Sequence, residues 1–379
     1  MRSLPADVVG LHVIRFAAAL DVVAFHYAPL PGGDTMVPFF FMLSGFGPVY
    51  AALRRGGMDG DEVKLSEYSS AIPRAFTLAR RLASVYPTHA FSLLLSVVAG
   101  LSLPLSAGVS LTLQFLLLDN WIPSALYKPS WYNKPSWYVS TLAFFWLLEP
   151  LAGRAAIACY RRRSHPTLWV LALTAAWVVV NPYLYFPLVW SQFSVTLGLF
   201  PILTYVHLYF IGACVAAAVH TRAAAGCTPV PYAASISLVL LVAALVVLAR
   251  YAPLEAGTEW FGVYLSLFKQ VSVLSPLHAM LIVGLAEGDD PLCRPLSAWP
   301  LPNTGRYALS VYLLQEPVWL LLEALGWRSS FSDAAWFAFF LAVLVAAAML
   351  VQHLVQEPLQ RAFITLLGRC GDGQARSTS

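Results

Sequence analysis

Charge is scarce in this chain. Only 11% of its 379 residues are Asp, Glu, Lys or Arg, against about 25% in a soluble domain, so it cannot cover an ordinary water-facing surface. Cysteine is scarce as well: Cys159, Cys214, Cys227, Cys293 and Cys370 show neither CxxC nor Cys/His spacing, which speaks against a metal site or a disulfide framework. No internal repeat, soluble domain or C-terminal prenylation signal is found. The first apolar run is not a cleavable signal, because it is long and carries Arg15, Asp21 and His26. What abounds is apolar: 59% of residues are hydrophobic, and the mean hydropathy is +0.69. The class is an integral, multi-pass membrane protein whose first partner is the lipid bilayer, with no nucleic acid expected.

Ten apolar stretches are long enough to cross about 30 Å of hydrocarbon. They run over 8–28, 36–53, 78–102, 138–153, 166–181, 203–220, 231–250, 261–285, 306–325 and 334–355. The sequence predicts an all-α polytopic bundle of about ten transmembrane helices. One transmembrane domain covers 1–366, and 367–379 reads as a short disordered cytoplasmic tail. With the N-terminus inside, 17 of the 23 Lys and Arg fall on its side and 4 on the other, Arg15 and Lys269 lying within spans. That bias places both termini in the cytoplasm. Two further stretches, 109–126 and 182–201, read as re-entrant or interfacial pieces, because making only one of them a span inverts the charge pattern downstream. Trp121, Trp131, Trp137, Tyr127, Tyr132 and Tyr138 crowd the outer loop as an interfacial belt or, alternatively, as a lid over an acceptor channel.

Within the first span, ten residues separate Arg15 from His26. At about 100° and 1.5 Å per residue, eleven steps bring the two to within about 20° of one helix face, roughly 16 Å apart. A charge near a helix centre costs about 2.5–3.5 kcal/mol, so such groups face a cavity or a partner rather than lipid. An imidazole can take a proton from a hydroxyl and return one to a leaving thiolate. Arg15 is cationic at any relevant pH and must meet an anion or a lined cavity. A helix-to-helix hydrogen bond for His26 and an ion pair for Arg15 are the alternatives.

The opening LHVIRFAAALDVVAFHYAPL is followed by PFFFMLSGF at 38–46, Arg80-Arg81 running to VYP at 85–87, and PSWYVSTLAFFWLLEPL at 135–151. HLYFIGACVA at 207–216, GRYALSVYLLQEPV at 305–318 and VQEPLQR at 355–361 complete the series. In this order the blocks resemble the acyltransferase-3 family of integral membrane O-acyltransferases. The resemblance implies transfer of an acyl group, most often acetyl, from acyl-CoA as co-substrate to a hydroxyl of a carbohydrate, a lipid or another acceptor. It implies no bound cofactor and no metal. It also implies His26 and Arg15 as the catalytic pair and Arg80 and Arg81 as donor-binding residues.

Other polar residues lie near or within spans. Ser44 and Gly45 suit tight helix packing beside the first helix, with an acyl-carrier role for Ser44 as the alternative. Trp137 and Ser140, one turn apart, either shape an acceptor site or pack. Glu316, next to Pro317, pairs with Arg15 or His26 or serves as a helix-end carboxylate. Lys269, His278 and His207 are pocket candidates or ordinary packing residues. Where the family commonly carries an acid, a second Arg, a Glu and a His, this chain has His12, Ser84, Leu142 and Gln315. Those departures keep a catalytically inactive binding subunit open as an alternative, and intramembrane Arg, His and Lys equally suit a transporter or channel.

Overall fold

In hydrocarbon a backbone has no water to bond to, and helix is the form that satisfies its N–H and C=O groups within one segment. A computed structural model describes residues 6–28, 35–56, 74–100, 108–122, 132–161, 200–251, 274–298 and 303–377, and among them no strand occurs. Five helical stretches of the described residues are long and apolar enough to cross a membrane: Val9–Tyr27, Met36–Arg54, Leu78–Ala99, Tyr205–Ala224 and Asp333–Leu367. They become six if Ser136–Leu147 and Glu149–Ala158 are one broken span. The expected span 166–181, nearly all of 182–201, most of 261–285 with Lys269, and Tyr127 and Trp131 lie outside the described residues.

The described chain falls into two compact units. Unit 1, Met1–Ala71 with Leu148–Gly305, holds α1 (Ala6–Tyr27), α2 (Met36–Gly56), α6 (Glu149–Arg161), α7 (Phe200–Ala224), α8 (Ala233–Tyr251), α9 (Ser275–Glu287) and α10 (Cys293–Ser297). Unit 2, Ile72–Leu147 with Arg306–Ser379, holds α3 (Arg74–Gly100), α4 (Gly108–Phe115), α5 (Ser136–Leu147), α11 (Ala308–Ala324), α12 (Asp333–Val351) and α13 (Glu357–Ser377).

In unit 1, α2 packs along α7, and two glycines let the backbones nearly touch. A Cβ on Gly45 would stand 1.9 Å from the Tyr209 carbonyl oxygen, and one on Gly212 1.9 Å from that of Met42. The close approach expected of Gly45 is real, but its partner is α7 and not the first helix. Around it Phe39, Phe41, Met42, Leu208 and Tyr209 are wholly buried, and Phe41 stacks on Tyr205. The turn after α9 caps α8 from outside: Asp290 accepts from the N–H groups of Ala234 at 2.8 Å and Ser235 at 3.2 Å, and from the Ser235 hydroxyl. Carboxylate at a helix N-terminus supplies acceptors to otherwise orphaned donors and opposes the positive end of the dipole.

In unit 2, α3 is the central element, packed by α4, α5, α11 and α13. Two expectations change here. The fourth expected span, 138–153, is two helices parted at Leu148, where Glu149 and Pro150 open a new first turn. The tenth, 334–355, does not stop: α12 passes through a π-helical turn at Gln352–Gln356 into α13, which carries helix to Ser377. Of the 109–126 stretch, the described residues to 122 hold the eight-residue α4 followed by turns, too short to cross.

Candidate functional site

Unit 1 carries the Arg15 and His26 pair on α1. Arg15 is half-buried, whereas His26 lies exposed in the last turn, its ring edge-on to Phe25 at 5.2 Å and Tyr27 at 6.3 Å. One turn before Arg15, His12 is half-buried against Gly305, where a Cβ would come within 2.6 Å of its Nδ1. Glycine opens the GRYALS block for that reason.

Ser44 turns back on its own helix, its hydroxyl donating to the Phe40 carbonyl at 2.8 Å. Past it, the C-terminal ends of α2, α7 and α9 enclose a cavity of about 380 Å³ lined by Tyr50, Arg54, His220, Cys227 and Glu287. The Arg54 guanidinium sits 5.7 Å from the Tyr50 ring centre. Glu287 accepts from Arg222 Nε and the Val230 N–H, each at 2.7 Å, which neutralises the carboxylate.

Unit 2 carries the other candidates. Arg80 is exposed and Arg81 half-buried near the start of α3. Ser84, the departure from a second arginine, donates its hydroxyl to the Arg81 carbonyl at 2.7 Å. Ser140 is wholly buried, donates to the Leu117 carbonyl at 2.9 Å and accepts the Asn120 N–H at 3.2 Å. The Trp137 carbonyl takes the Asn120 side chain at 2.7 Å. These bonds hold the turn after α4 onto α5, so for Ser140 packing is the role in view. Glu316 has found a different partner from Arg15 or His26: Lys134 Nζ stands 3.5 Å away and the Lys134 N–H donates to the same carboxylate. Gln315, buried on the preceding position, donates to the Tyr312 carbonyl at 2.8 Å.

Four polar residues that the sequence reading passed over form a closed ring beside these. His89 Nε2 meets the Gln114 carbonyl at 2.8 Å, and the Gln114 side-chain oxygen meets the Asn133 N–H at 3.4 Å. The Asn133 amide donates to Ser92 Oγ at 2.9 Å, and Ser92 donates to the His89 carbonyl at 2.8 Å. A carbonyl only accepts, so His89 carries its proton on Nε2 and presents a lone pair at Nδ1. His89, Ser92 and Asn133 are wholly buried. The available signal was the THAFS run inside the third span, since an intramembrane ionisable residue is a functional candidate by default.

A fifth residue, Gln356, brackets the VYP step. Pro87, inside α3, has no N–H to give the Ala83 carbonyl four residues back. Gln356 Nε2 donates to that carbonyl at 3.0 Å, while its Oε1 accepts the Thr88 N–H at 3.1 Å and the Thr88 hydroxyl at 2.9 Å. Gln352 and Gln356, four residues apart within the π turn, a feature frequent at functional sites, are both buried.

Among the described residues no group of three or more His, Cys, Asp or Glu could hold a metal ion. A family model described as an acyltransferase domain, Acyl_transf_3, matches residues 8–353, nearly the whole chain. No curated protein and no solved structure matches it. With its long apolar helices and that match, the chain is a multi-pass membrane protein belonging to the acyltransferase-3 family.

Proposed function

We propose that the protein is a membrane-embedded O-acyltransferase that moves an acyl group, acetyl in the first instance, from cytoplasmic acyl-CoA to a hydroxyl of a sugar, lipid or other acceptor. The reading includes about ten spans with both termini cytoplasmic. What carries it is the placement of a half-buried Arg15 and an exposed His26 on one helix of a family-matched segment.

In this mechanism His26 is the general base. It takes the acceptor hydroxyl proton as that oxygen attacks the thioester carbonyl; the carbon–sulfur bond then breaks and the proton passes to the departing CoA thiolate. Atoms balance as acyl-CoA plus alcohol giving ester plus CoA. A positioned base contributes about 10²–10⁴-fold. Arg15 holds the donor near its thioester, and Arg80 and Arg81 hold its phosphates, since guanidinium forks match phosphate oxygens. The half-buried Trp137 ring is the acceptor-side candidate; Ser44 and Ser140 act through packing, and Lys269 keeps the pocket role read from its place in the eighth span.

The test is release of CoA from labelled acetyl-CoA by the purified full-length chain in detergent. His26→Ala should lose at least about 100-fold in turnover at undiminished membrane abundance, and Arg15→Ala should raise KM for acetyl-CoA. Full turnover in His26→Ala would remove the central assignment.

A further inference from the structure

We propose that Arg306, His353 and Arg361, gathered on Glu357 at the π turn of unit 2, form a phosphate-binding site for the acyl donor. The attribution to the donor rests on the acyltransferase reading above; the anion chemistry rests on the geometry alone.

Position comes first. A helix needs about 20 residues to cross the hydrocarbon, whereas Asp333–Leu367 continues for 35. Counted from Asp333, the crossing ends near the π turn Gln352–Gln356, so the residues that follow stand at the membrane surface.

Composition comes next. Glu357 meets three groups that bear or can bear positive charge: Arg361 Nη2 at 3.0 Å, Arg306 Nη1 at 3.4 Å and His353 Nδ1 at 3.6 Å. One carboxylate cannot neutralise two guanidinium groups, and a net positive charge is left at the surface. Arg306 comes from a different element, the short 3-10 turn Thr304–Tyr307, and is held rigidly. Its Nη2 donates to the Tyr307 hydroxyl at 2.6 Å, and its guanidinium lies 4.8 Å from that ring's centre. Its Nε–H, buried, has no hydrogen-bond partner among the described residues. A fixed guanidinium beside a second and largely exposed one is the arrangement that receives phosphate oxygens.

The neighbourhood supplies the last step. Gln356, the residue before Glu357, is bonded to Ala83 and Thr88 of α3. Ala83 lies within one turn of Arg80 and Arg81 along that helix. The amide therefore docks the helix bearing the family's paired basic motif onto the cluster. A diphosphate and a 3′-phosphate offer more anionic oxygens than two arginines can satisfy.

The experiment measures acetyl-CoA hydrolysis by the full-length chain in detergent for Arg361→Ala and Arg306→Lys, with Arg328→Ala as control. Arg361 is 75% exposed, so its variant tests the site even if the Arg306 variant folds poorly. Expected is a rise in KM for acetyl-CoA of about 10-fold or more, as for loss of a charge-assisted hydrogen bond, with kcat within about twofold. A smaller change in KM for the 3′-dephospho analogue assigns the site to the 3′-phosphate; an equal change assigns it to the diphosphate. Phosphatidylglycerol nanodiscs form the other arm: variants that keep their acetyl-CoA KM but lose thermal stabilisation by that lipid assign the phosphate to a headgroup and overturn the donor attribution. Unchanged KM together with unchanged lipid response overturns the site. Loss of CoA release in His26→Ala alongside unaffected cluster variants leaves the enzyme reading standing and sinks only this inference.

Discussion

Gln356 donates its side-chain amide to the main-chain carbonyl of Ala83, 273 positions away in sequence, at 3.0 Å. That carbonyl is the one Pro87 leaves without a donor. The same device recurs at Pro317, inside α11 of the same unit. Pro317 deprives the Leu313 carbonyl of its helical partner, and Asn133 Nδ2 donates there at 2.9 Å. Both carbonyls are therefore held by an amide from another segment, and each amide also takes or gives a further bond. The proline explains why a polar side chain is stable in an apolar bundle.

Gln356→Leu leaves the Ala83 carbonyl buried without its side-chain donor and removes the acceptor of the Thr88 hydroxyl, at a cost of about 1–3 kcal/mol for each buried group left unpartnered. Pro87→Ala restores the helical donor to Ala83. In that background Gln356→Leu should therefore cost distinctly less. Thermal unfolding of the four proteins in one detergent gives the coupling directly; additive effects would show that the amide does not answer the proline.

Asn133→Ala should destabilise by about 2–4 kcal/mol, since it orphans the Leu313 carbonyl and opens the His89–Gln114–Asn133–Ser92 ring. Pro317→Ala should recover only part of this, because the bond to Ser92 does not depend on the proline. Complete recovery would mean that the ring adds nothing. The same unfolding assay distinguishes the two.

Gly45→Ala and Gly212→Ala drive a methyl group into the facing carbonyl, so α2 and α7 must separate. Overpacking typically costs about 1–3 kcal/mol, and a clash with backbone belongs at or beyond the upper end. Gly47→Ala meets nothing within 4 Å and is the control. Monodisperse yield on size exclusion should fall for the first two and hold for the third.

Some of this was legible from the chain alone. Span positions follow from apolar run length, and α1, α2 and α7 lie within a few residues of the stretches expected. Gly45 announced a close approach because only glycine lets backbones meet, yet nothing local says which helix will arrive. A helix proline likewise advertises an orphaned carbonyl without naming the amide that will cover it. Glu316 illustrates the limit: a carboxylate in a span demands a cation, the sequence points to Arg15 or His26, and the fold supplies Lys134 from a loop instead. Gln356 escaped notice because glutamine is uncharged and lies at the end of the expected span, where a polar residue reads as interfacial. The break at Leu148 is marked by Glu149 and Pro150, but the apolar residues on either side, 144–148 and 151–152, let the two helices pass for one span.

Stability should fall in acid through Asp290, which lies in the turn after α9, outside the spans. Burial, the largest single influence, raises its pKa, but bonds from the Ser235 hydroxyl and the Leu292, Ser235 and Ala234 N–H groups together hold it below the ordinary carboxylate value. A folded-state pKa below the unfolded one means the group stabilises above its unfolded pKa of about 4. That contribution is lost as pH falls through the folded value. Asp290→Asn should flatten the acid limb of a thermal-midpoint-against-pH curve below about pH 4.5, while lowering the plateau by about 1 kcal/mol through the weakened cap. An acid limb identical to that of the parent would assign the pH sensitivity elsewhere.

His89 gives the sharpest separation of roles. Its Nε2–H holds the Gln114 carbonyl, and its Nδ1 has no hydrogen-bond partner among the described residues. If the buried donor is what the fold requires, His89→Gln, whose amide can still reach that carbonyl, should retain most of the parent's thermal stability. His89→Ala empties a wholly buried ring volume and drops the bond, for about 2–4 kcal/mol. Acetyl-CoA hydrolysis measured on the same samples then isolates Nδ1, because glutamine preserves the donor but not an imidazole lone pair. Full stability with full turnover in His89→Gln confines His89 to packing, whereas full stability with turnover lowered by about 10-fold or more assigns Nδ1 a part in proton handling.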